Sequence, residues 1–161
     1  MTALMNAINS NNLEQVNQLI QQGIDVNELD GNQDAPIVIA AYKGHSLILA
    51  ALLQAGADVH AVDPGMKATA LHAAAYAGRT EAVKLLIQYN IDINKQGPYN
   101  GYTALHDAIW QGHEEIAKLL INAGANLQLK SHAGETPLDF AKNRHQVAIS
   151  TLIQQTINMN K

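Results

Sequence analysis

Histidine is the residue type with the widest chemical scope in this chain of 161 residues, which contains seven of them. Histidines on a helix bind zinc as a pair at i and i+4, and they transfer protons where acids or nucleophiles converge on them. No two histidines here have the i, i+4 spacing. The chain also has no cysteine, which excludes disulfides, thiolate metal sites and thiol nucleophiles. We therefore predict no metal, no cofactor and no catalytic residue.

The run that begins at Asp30 has the alternating oxygen ligands with which a calcium-binding loop starts. Its sixth position is Ala35, where such a loop needs glycine, and its twelfth is Ala41, where it needs a bidentate glutamate. Without the sharp turn and the strongest ligand, the run is predicted to be a polar turn.

The formal net charge of −4 argues against a nucleic-acid partner, because lysine and arginine supply most of the affinity for phosphates. The charge is unevenly distributed. Residues 1–66 carry seven acidic side chains and one lysine, whereas residues 67–161 carry nine basic and seven acidic ones. The acidic N-terminal part is expected to attract a basic patch on a partner.

The elements that must position these residues recur along the chain. The segment Thr69–His72, Thr-Ala-Leu-His, returns 34 residues later as Thr103–His106, and a looser form, Thr136–Asp139, follows 33 residues after that. Aligned on the threonine position, five units have this position at residues 2, 35, 69, 103 and 136. A unit of this size cannot bury its own apolar face, so the units are predicted to stack on one another.

Each unit has the pattern of a helical hairpin. Nine residues after the threonine position come Gly44, Gly78 and Gly112, and glycine is favoured where a helix ends in a left-handed residue. The segment before each glycine is rich in alanine, and the segment after it has apolar residues at i, i+1, i+4 and i+5. Turns are predicted in the segments between units that are rich in Gly, Pro, Asn and Asp, namely residues 28–34, 62–68, 95–102 and 128–135.

No segment indicates a membrane or a secretory route. The longest apolar runs, Ile37–Ala41 and Leu47–Leu53, are too short to span a bilayer, and the first residues lack the basic and apolar parts of a secretion signal. We predict a cytoplasmic protein without a membrane partner. The alternative is the mature form of an exported protein.

The units resemble ankyrin repeats, which have a period of about 33 residues and a Thr-Pro-Leu-His-x-Ala core. Gly44-His45, Gly112-His113 and Gly56–Val59 are similar to further signatures of that family. The resemblance implies an all-α solenoid of stacked helix–turn–helix repeats joined by β-turn or hairpin loops, in one domain spanning residues 1–161. The predicted units are 1–29, 30–62, 63–96, 97–129 and 130–161.

Several units depart from the repeat. The second unit reads Ala35–Ala40 at the motif, without threonine or histidine, so the polar contacts of that motif are expected to be missing. The last unit is predicted to be one residue short, because His145 falls nine rather than ten residues after its threonine position. The first and last units are rich in polar residues and are expected to cap the array at both ends.

The resemblance also assigns structural roles to four histidines. In ankyrin repeats the imidazole at the position of His72 and His106 forms a hydrogen-bond relay to the backbone of adjacent turns. His45 and His113, which follow the glycine between helices, are expected to be structural as well.

One repeat position carries a candidate binding surface. Seven residues after the threonine position stand Tyr42, Tyr76 and Trp110, which we name the aromatic stripe. In ankyrin geometry this position lies on the concave side near the end of the inner helix. Tyr and Trp offer large, rigid contact areas and dominate binding hot spots. The alternative is that the rings merely pack between adjacent inner helices.

Neighbouring positions and turn tips complete the predicted binding site, with Asp34, Lys43, Met66, Lys67, Tyr99, Tyr102, Asp107 and Gln111. We predict a non-enzymatic, monomeric module that binds another protein through its concave groove and turn tips, as an inhibitor or a tether. One alternative is a structural array that associates with itself. The weakest is a metal-dependent or small-molecule enzyme around His60, Asp63 or His132, since no acid, base and nucleophile set accompanies them.

Overall fold

The computed structural model describes residues 1–161, which form ten α-helices and no strand. In chain order the helices are α1 (Ala3–Asn9), α2 (Leu13–Gln21), α3 (Pro36–Lys43), α4 (Ser46–Gln54), α5 (Ala70–Ala77), α6 (Thr80–Gln88), α7 (Ala104–Gln111), α8 (Glu114–Asn122), α9 (Pro137–Asn143) and α10 (Val147–Met159). Each predicted unit contains one helix pair, while the bounds of the units stay a prediction.

The helices stack in two rows. The odd-numbered helices contact one another in sequence and form the inner row, and the even-numbered helices form the outer row in the same way. One continuous apolar core runs between the rows, from Leu4 to Ile153. This arrangement confirms the predicted all-α solenoid. None of the ten helices combines the length and apolarity needed to cross a bilayer.

The threonine of the repeated motif begins most inner helices. Thr69, Thr103 and Thr136 each accept a hydrogen bond from the backbone N–H three residues on, and the side chain at that position returns a bond to the threonine N–H. This reciprocal capping satisfies N–H groups that have no partner within the helix.

The second unit begins its inner helix differently, as its sequence predicts. Ala35 makes no side-chain capping bond to α3, and Pro36 occupies the first helical position. Proline suits that position because it has no N–H to leave unpaired. Val38, at the position that His72 and His106 occupy in later units, is buried instead of hydrogen-bonded. Apolar packing therefore replaces the polar motif in this unit.

The prediction that the last unit is one residue short is wrong. His145 has a left-handed backbone, with φ of 57°, at the position that Gly78 and Gly112 occupy in their units. The backbone N–H groups of His145 and Gln146 bond to Lys142 and Ala141 in the pattern of the other units. The last unit therefore keeps full register, and Gln146, not His145, is the counterpart of His113. A non-glycine residue can take this conformation at a modest cost, which the glycine pattern alone does not reveal.

Candidate functional site

A concave groove of about 510 Å³ lies across the middle of the array. The inner helices α3, α5 and α7 form its floor, and the turns that precede α5 and α7 form its rim. It is lined by Val38, Ile39, Tyr42, Asp63, Met66, Ala68, His72, Ala73, Tyr76, Gly97, Asn100, Tyr102, Asp107 and Trp110. We call this surface the concave groove.

All three members of the aromatic stripe line the groove. The exposed fractions of Tyr42, Tyr76 and Trp110 are 50%, 48% and 48%. Two of them are fixed through their backbone by the following unit, because Arg79 donates to the Tyr42 carbonyl at 3.0 Å and His113 bonds to the Tyr76 carbonyl at 3.2 Å. Two of the three half-exposed rings are therefore presented on helix ends that the following unit anchors.

Trp110 differs from the two tyrosines in its packing. Its ring lies 5.9 Å from the Tyr102 ring and 6.1 Å from the Phe140 ring, and the guanidinium of Arg144 lies 4.8 Å from its centroid. A cation over an indole face is attracted by the ring quadrupole. Trp110 therefore joins α7 to α9 as well as lining the groove, so the packing alternative applies to this ring in part.

Two threonine–histidine pairs tie neighbouring units together beneath the groove. His72 Nδ1 lies 2.9 Å from Thr69 Oγ1, and His72 Nε2 lies 3.0 Å from the Tyr102 carbonyl oxygen. His106 repeats the arrangement with Thr103 Oγ1 at 2.9 Å and the Glu135 carbonyl at 3.1 Å. We call these two pairs the Thr–His relay. The relay predicted for both histidines is confirmed.

The relay fixes the protonation state of its histidines. A carbonyl oxygen can only accept, so Nε2 must carry the proton and Nδ1 accepts from the threonine. Burial lowers the pKa of each of the two imidazoles, His72 and His106, below the ordinary value of histidine. The relay therefore consists of neutral rings with every polar atom paired, and through the Tyr102 carbonyl it holds the turn that carries the Tyr102 ring into the groove.

Asp107 follows His106 directly but, unlike it, has no hydrogen-bond partner. It lines the groove half-buried, and no side chain or backbone group forms a hydrogen bond or an ion pair with its carboxylate. Burial raises the pKa of this carboxyl to about 7. The corresponding positions of neighbouring units hold Ile39, Ala73 and Phe140, so the acid interrupts an apolar row.

The rim of the groove depends on a second carboxylate. Asp63 accepts from the backbone N–H of Met66 at 2.7 Å and of Ala68 at 2.8 Å. These bonds hold the turn that presents Met66, whose side chain is 55% exposed. Asp63, which the sequence offers only as part of an enzyme, has the local role of shaping the rim.

The groove brings together six of the eleven predicted binding residues: Tyr42, Met66, Tyr76, Tyr102, Asp107 and Trp110. Five lie outside its lining: Asp34, Lys43, Lys67, Tyr99 and Gln111. Lys43 and Gln111 each follow a member of the aromatic stripe by one residue, which turns the side chain about 100° around the helix. Their role in binding, and that of the exposed turn residues, stays a prediction.

The remaining turn residues take part in local structure. Tyr99 is 62% exposed, and its carbonyl oxygen accepts from His132 Nδ1 at 3.1 Å. The backbone N–H of Asp34 donates to the Asp30 carboxylate at 3.0 Å, which accounts for the buried position of Asp30 in a polar turn. The run that starts like a calcium loop thus uses its first carboxylate to bond its own backbone.

Sequence reasoning missed eight lining residues, among them Ile39, Ala73 and His72. The first two stand three residues before Tyr42 and Tyr76, and residues three apart share one face of a helix. That spacing could have identified them. The rim residues Gly97 and Asn100 depend on how the turn folds, and nothing in the repeat pattern points to them.

No group of three His, Asp or Glu side chains is placed to hold a metal ion. Asp63 and His132 are each engaged with the backbone of a turn, and His60 is exposed. The arrangement offers a surface for contact, with rings, one unpaired carboxyl and a shaped rim.

Comparison with known proteins agrees with this architecture. No curated protein matches the chain. A family model described as ankyrin repeats (3 copies) matches residues 1–63 and 37–131, which together cover most of the sequence. Ankyrin repeats are generally protein–protein interaction modules, and proteins built from them are typically non-enzymatic. The chain belongs to the ankyrin repeat family.

Proposed function

We propose that this protein is a non-catalytic module that binds a partner protein in the concave groove. The observation that carries the proposal is the aromatic stripe, three half-exposed rings at one repeat position in three consecutive units, all lining one cavity. Aromatic side chains immobilised on a rigid scaffold lose little entropy when a partner covers them. The role would be that of an inhibitor or a tether acting as a monomer in the cytoplasm.

The groove suits an extended segment or a protruding loop of the partner. Its floor comes from three parallel inner helices, and its rim from two turns that the Thr–His relay and Asp63 hold in place. Because these supports are already hydrogen-bonded, the groove needs little reorganisation to receive a ligand. A preorganised surface retains more of its contact energy as affinity.

Affinity capture with matched variants tests the proposal. Wild-type protein, a Tyr42→Ala/Tyr76→Ala variant and a Leu47→Ala variant are immobilised and exposed to extract of the source cell. Leu47 is a fair control because it is 70% exposed on the outer helix α4. We expect proteins that the wild type and the Leu47→Ala variant retain and the groove variant loses. Equal retention by all three would contradict binding through the groove.

Self-association is the competing occupant of the groove. Sedimentation of the purified wild type over a concentration series distinguishes the two, because a monomeric module keeps one mass at all concentrations. A mass that rises with concentration in the wild type, but not in the Tyr42→Ala/Tyr76→Ala variant, would instead assign the groove to a second copy of this chain.

A further inference from the structure

We propose that the groove recognises a basic side chain of the partner, with its cation paired to Asp107 and its aliphatic stem lying against the aromatic stripe. This inference rests on the proposed function and adds the chemistry of the partner. Lysine and arginine share that chemistry, and the experiment below separates them.

The unpaired state of Asp107 is the first argument. No side-chain nitrogen or oxygen that is fully buried lacks a hydrogen-bond partner in this protein. Asp107, half-buried and open to the groove, is a carboxylate without a protein partner. A carboxylate removed from water at such a site gains most from a cationic partner that also donates hydrogen bonds.

The position of Asp107 within the repeat is the second argument. At this position the adjacent units have Ala73 and Phe140, which meet the needs of packing without charge. Trp110 and Tyr76, the stripe members on the same two helices α7 and α5, stand three residues further along. The stem of a lysine or arginine packs well on such rings, and its cation is attracted by their faces.

The charge around the groove is the third argument. Its titratable lining groups are Asp63, Asp107, His72 and the three tyrosines, and it contains no lysine or arginine. None of the cations on the elements packed against α7, which are Lys118, Lys142, Arg144 and His113, forms an ion pair with Asp107. Arg144, at the end of α9, lies 3.8 Å from the Glu135 carboxylate and over the Phe140 ring, and His113 bonds to the Tyr76 carbonyl. A cationic side chain is therefore the missing complement.

Binding of a cation at Asp107 is expected to depend on pH. Ionised Asp107 pairs with a cation and protonated Asp107 does not, so a bound cation favours loss of the proton. Because the pKa of the free carboxyl is about 7, affinity should rise between pH 5.5 and pH 8. Glu115, an exposed carboxylate on the outer helix α8, provides the control, because Glu115→Gln removes the same charge as Asp107→Asn but outside the groove.

Selection of short random peptides displayed on phage tests the inference. Peptides that bind the wild type but not the Tyr42→Ala/Tyr76→Ala variant are sequenced, and their affinities are measured by titration at pH 5.5 and pH 8. We expect a lysine or an arginine at one shared position, and the selected residue identifies which cation the site prefers. Asp107→Asn should weaken binding roughly tenfold at pH 8, and Glu115→Gln should not.

A double-mutant cycle connects the carboxyl to the cation. Replacing the selected basic residue by glutamine should also cost roughly tenfold on the wild type, and almost nothing on the Asp107→Asn variant. Urea unfolding of the Asp107→Asn variant checks that its fold is intact.

The possible failures are distinguishable. If groove-dependent peptides share no basic residue, or if Asp107→Asn binds them as the wild type does, the inference is wrong while the proposed function stands. If no enriched peptide distinguishes the wild type from the Tyr42→Ala/Tyr76→Ala variant, both are overturned.

Discussion

His106 and Asp107 are neighbours on α7, yet the protein treats them in opposite ways. His106 is buried with both ring nitrogens hydrogen-bonded, and its neutral form is favoured because burial lowers the pKa of the imidazole. Asp107 lines the groove with no hydrogen-bond partner, and burial raises the pKa of its carboxyl to about 7. His106 therefore stabilises the fold, whereas desolvation of the Asp107 carboxylate destabilises it and no hydrogen bond within the protein compensates.

The difference follows from the direction in which each side chain of the inner helix lies. Successive residues of a helix are separated by about 100°, so adjacent positions meet different surroundings. The His106 ring reaches the turn of the next unit, where it donates a hydrogen bond to the Glu135 carbonyl oxygen. Asp107 meets the open side instead. Polar groups left unpaired in a stable fold tend to mark functional sites.

The largest change in stability is expected from breaking the relay. Replacing His106 by leucine removes the acceptor of the Thr103 N–H and hydroxyl and the donor to the Glu135 carbonyl at a largely buried site, which should cost about 3 kcal/mol of unfolding free energy. Urea unfolding measures the loss. His60→Ala is the matched control, since His60 is exposed, and a His106→Leu variant as stable as this control would remove the structural side of the comparison.

A smaller change of opposite sign is expected at Asp107. In the folded state the pKa of its carboxyl is about 7, above the ordinary value near 3.9, so its contribution to stability is greatest below pH 4 and is lost as the pH rises through 7. Asp107→Asn removes this penalty. Because the groove is open to water on one side, we expect a gain of only about 2 kcal/mol at pH 8 and almost none at pH 4.

Two measurements check that expectation. Urea unfolding of the wild type and the Asp107→Asn variant at pH 4 and pH 8 gives the energies, and carboxyl NMR of the wild type gives the pKa itself. A pKa near 4, or a variant that is less stable than the wild type at pH 8, would show that Asp107 is satisfied within the fold.

The relay histidines and Asp107 should contribute to the pH dependence of the unfolding free energy with opposite signs. The pKa values of the relay histidines are lowered by burial, so the stability they contribute is complete above pH 6.5 and is lost on acidification. Asp107 opposes this trend. The Asp107→Asn variant should therefore lose stability more steeply than the wild type between pH 7 and pH 5.5, as followed by thermal unfolding. Parallel curves would contradict the opposition.

The smallest effect is expected at a departure from the repeat outside the groove. His145 has a left-handed backbone where other units have glycine, so His145→Gly should stabilise the fold by roughly 0.5 kcal/mol after the greater flexibility of the unfolded chain is deducted. Thermal unfolding measures it, and peptide binding should be unchanged. A destabilised variant would argue against the register assigned to the last unit.

Much of the fold could be predicted from the sequence because each unit repeats the same local requirements. The threonine of Thr69–His72 and the glycine nine residues later mark the two ends of α5, and the same two positions define α7. The pattern fails at His145, since a histidine that adopts the conformation of a glycine carries no local signal. Only the structure shows it, through the backbone hydrogen bonds of His145 and Gln146 that end α9 as the other inner helices end.

The candidate site could be predicted only in part. A shared repeat position identified Tyr42, Tyr76 and Trp110, because stacked units place equal positions side by side. The burial of Asp107 depends on which side chains surround it in three dimensions. The stacking of Arg144 on Trp110 likewise depends on where α9 ends. The repeat positions of the two residues do not predict that their side chains touch.

The affinity of a groove-selected peptide for the Tyr76→Ala variant tests the central claim most directly. Tyr76 makes no aromatic stacking contact and is half-exposed, so its loss should leave the unfolding free energy within about 1 kcal/mol of the wild type. We expect the affinity to fall by about 2 kcal/mol, roughly thirtyfold, while Leu47→Ala binds as the wild type does. Equal affinities for the wild type and both variants would contradict the assignment of function to the groove.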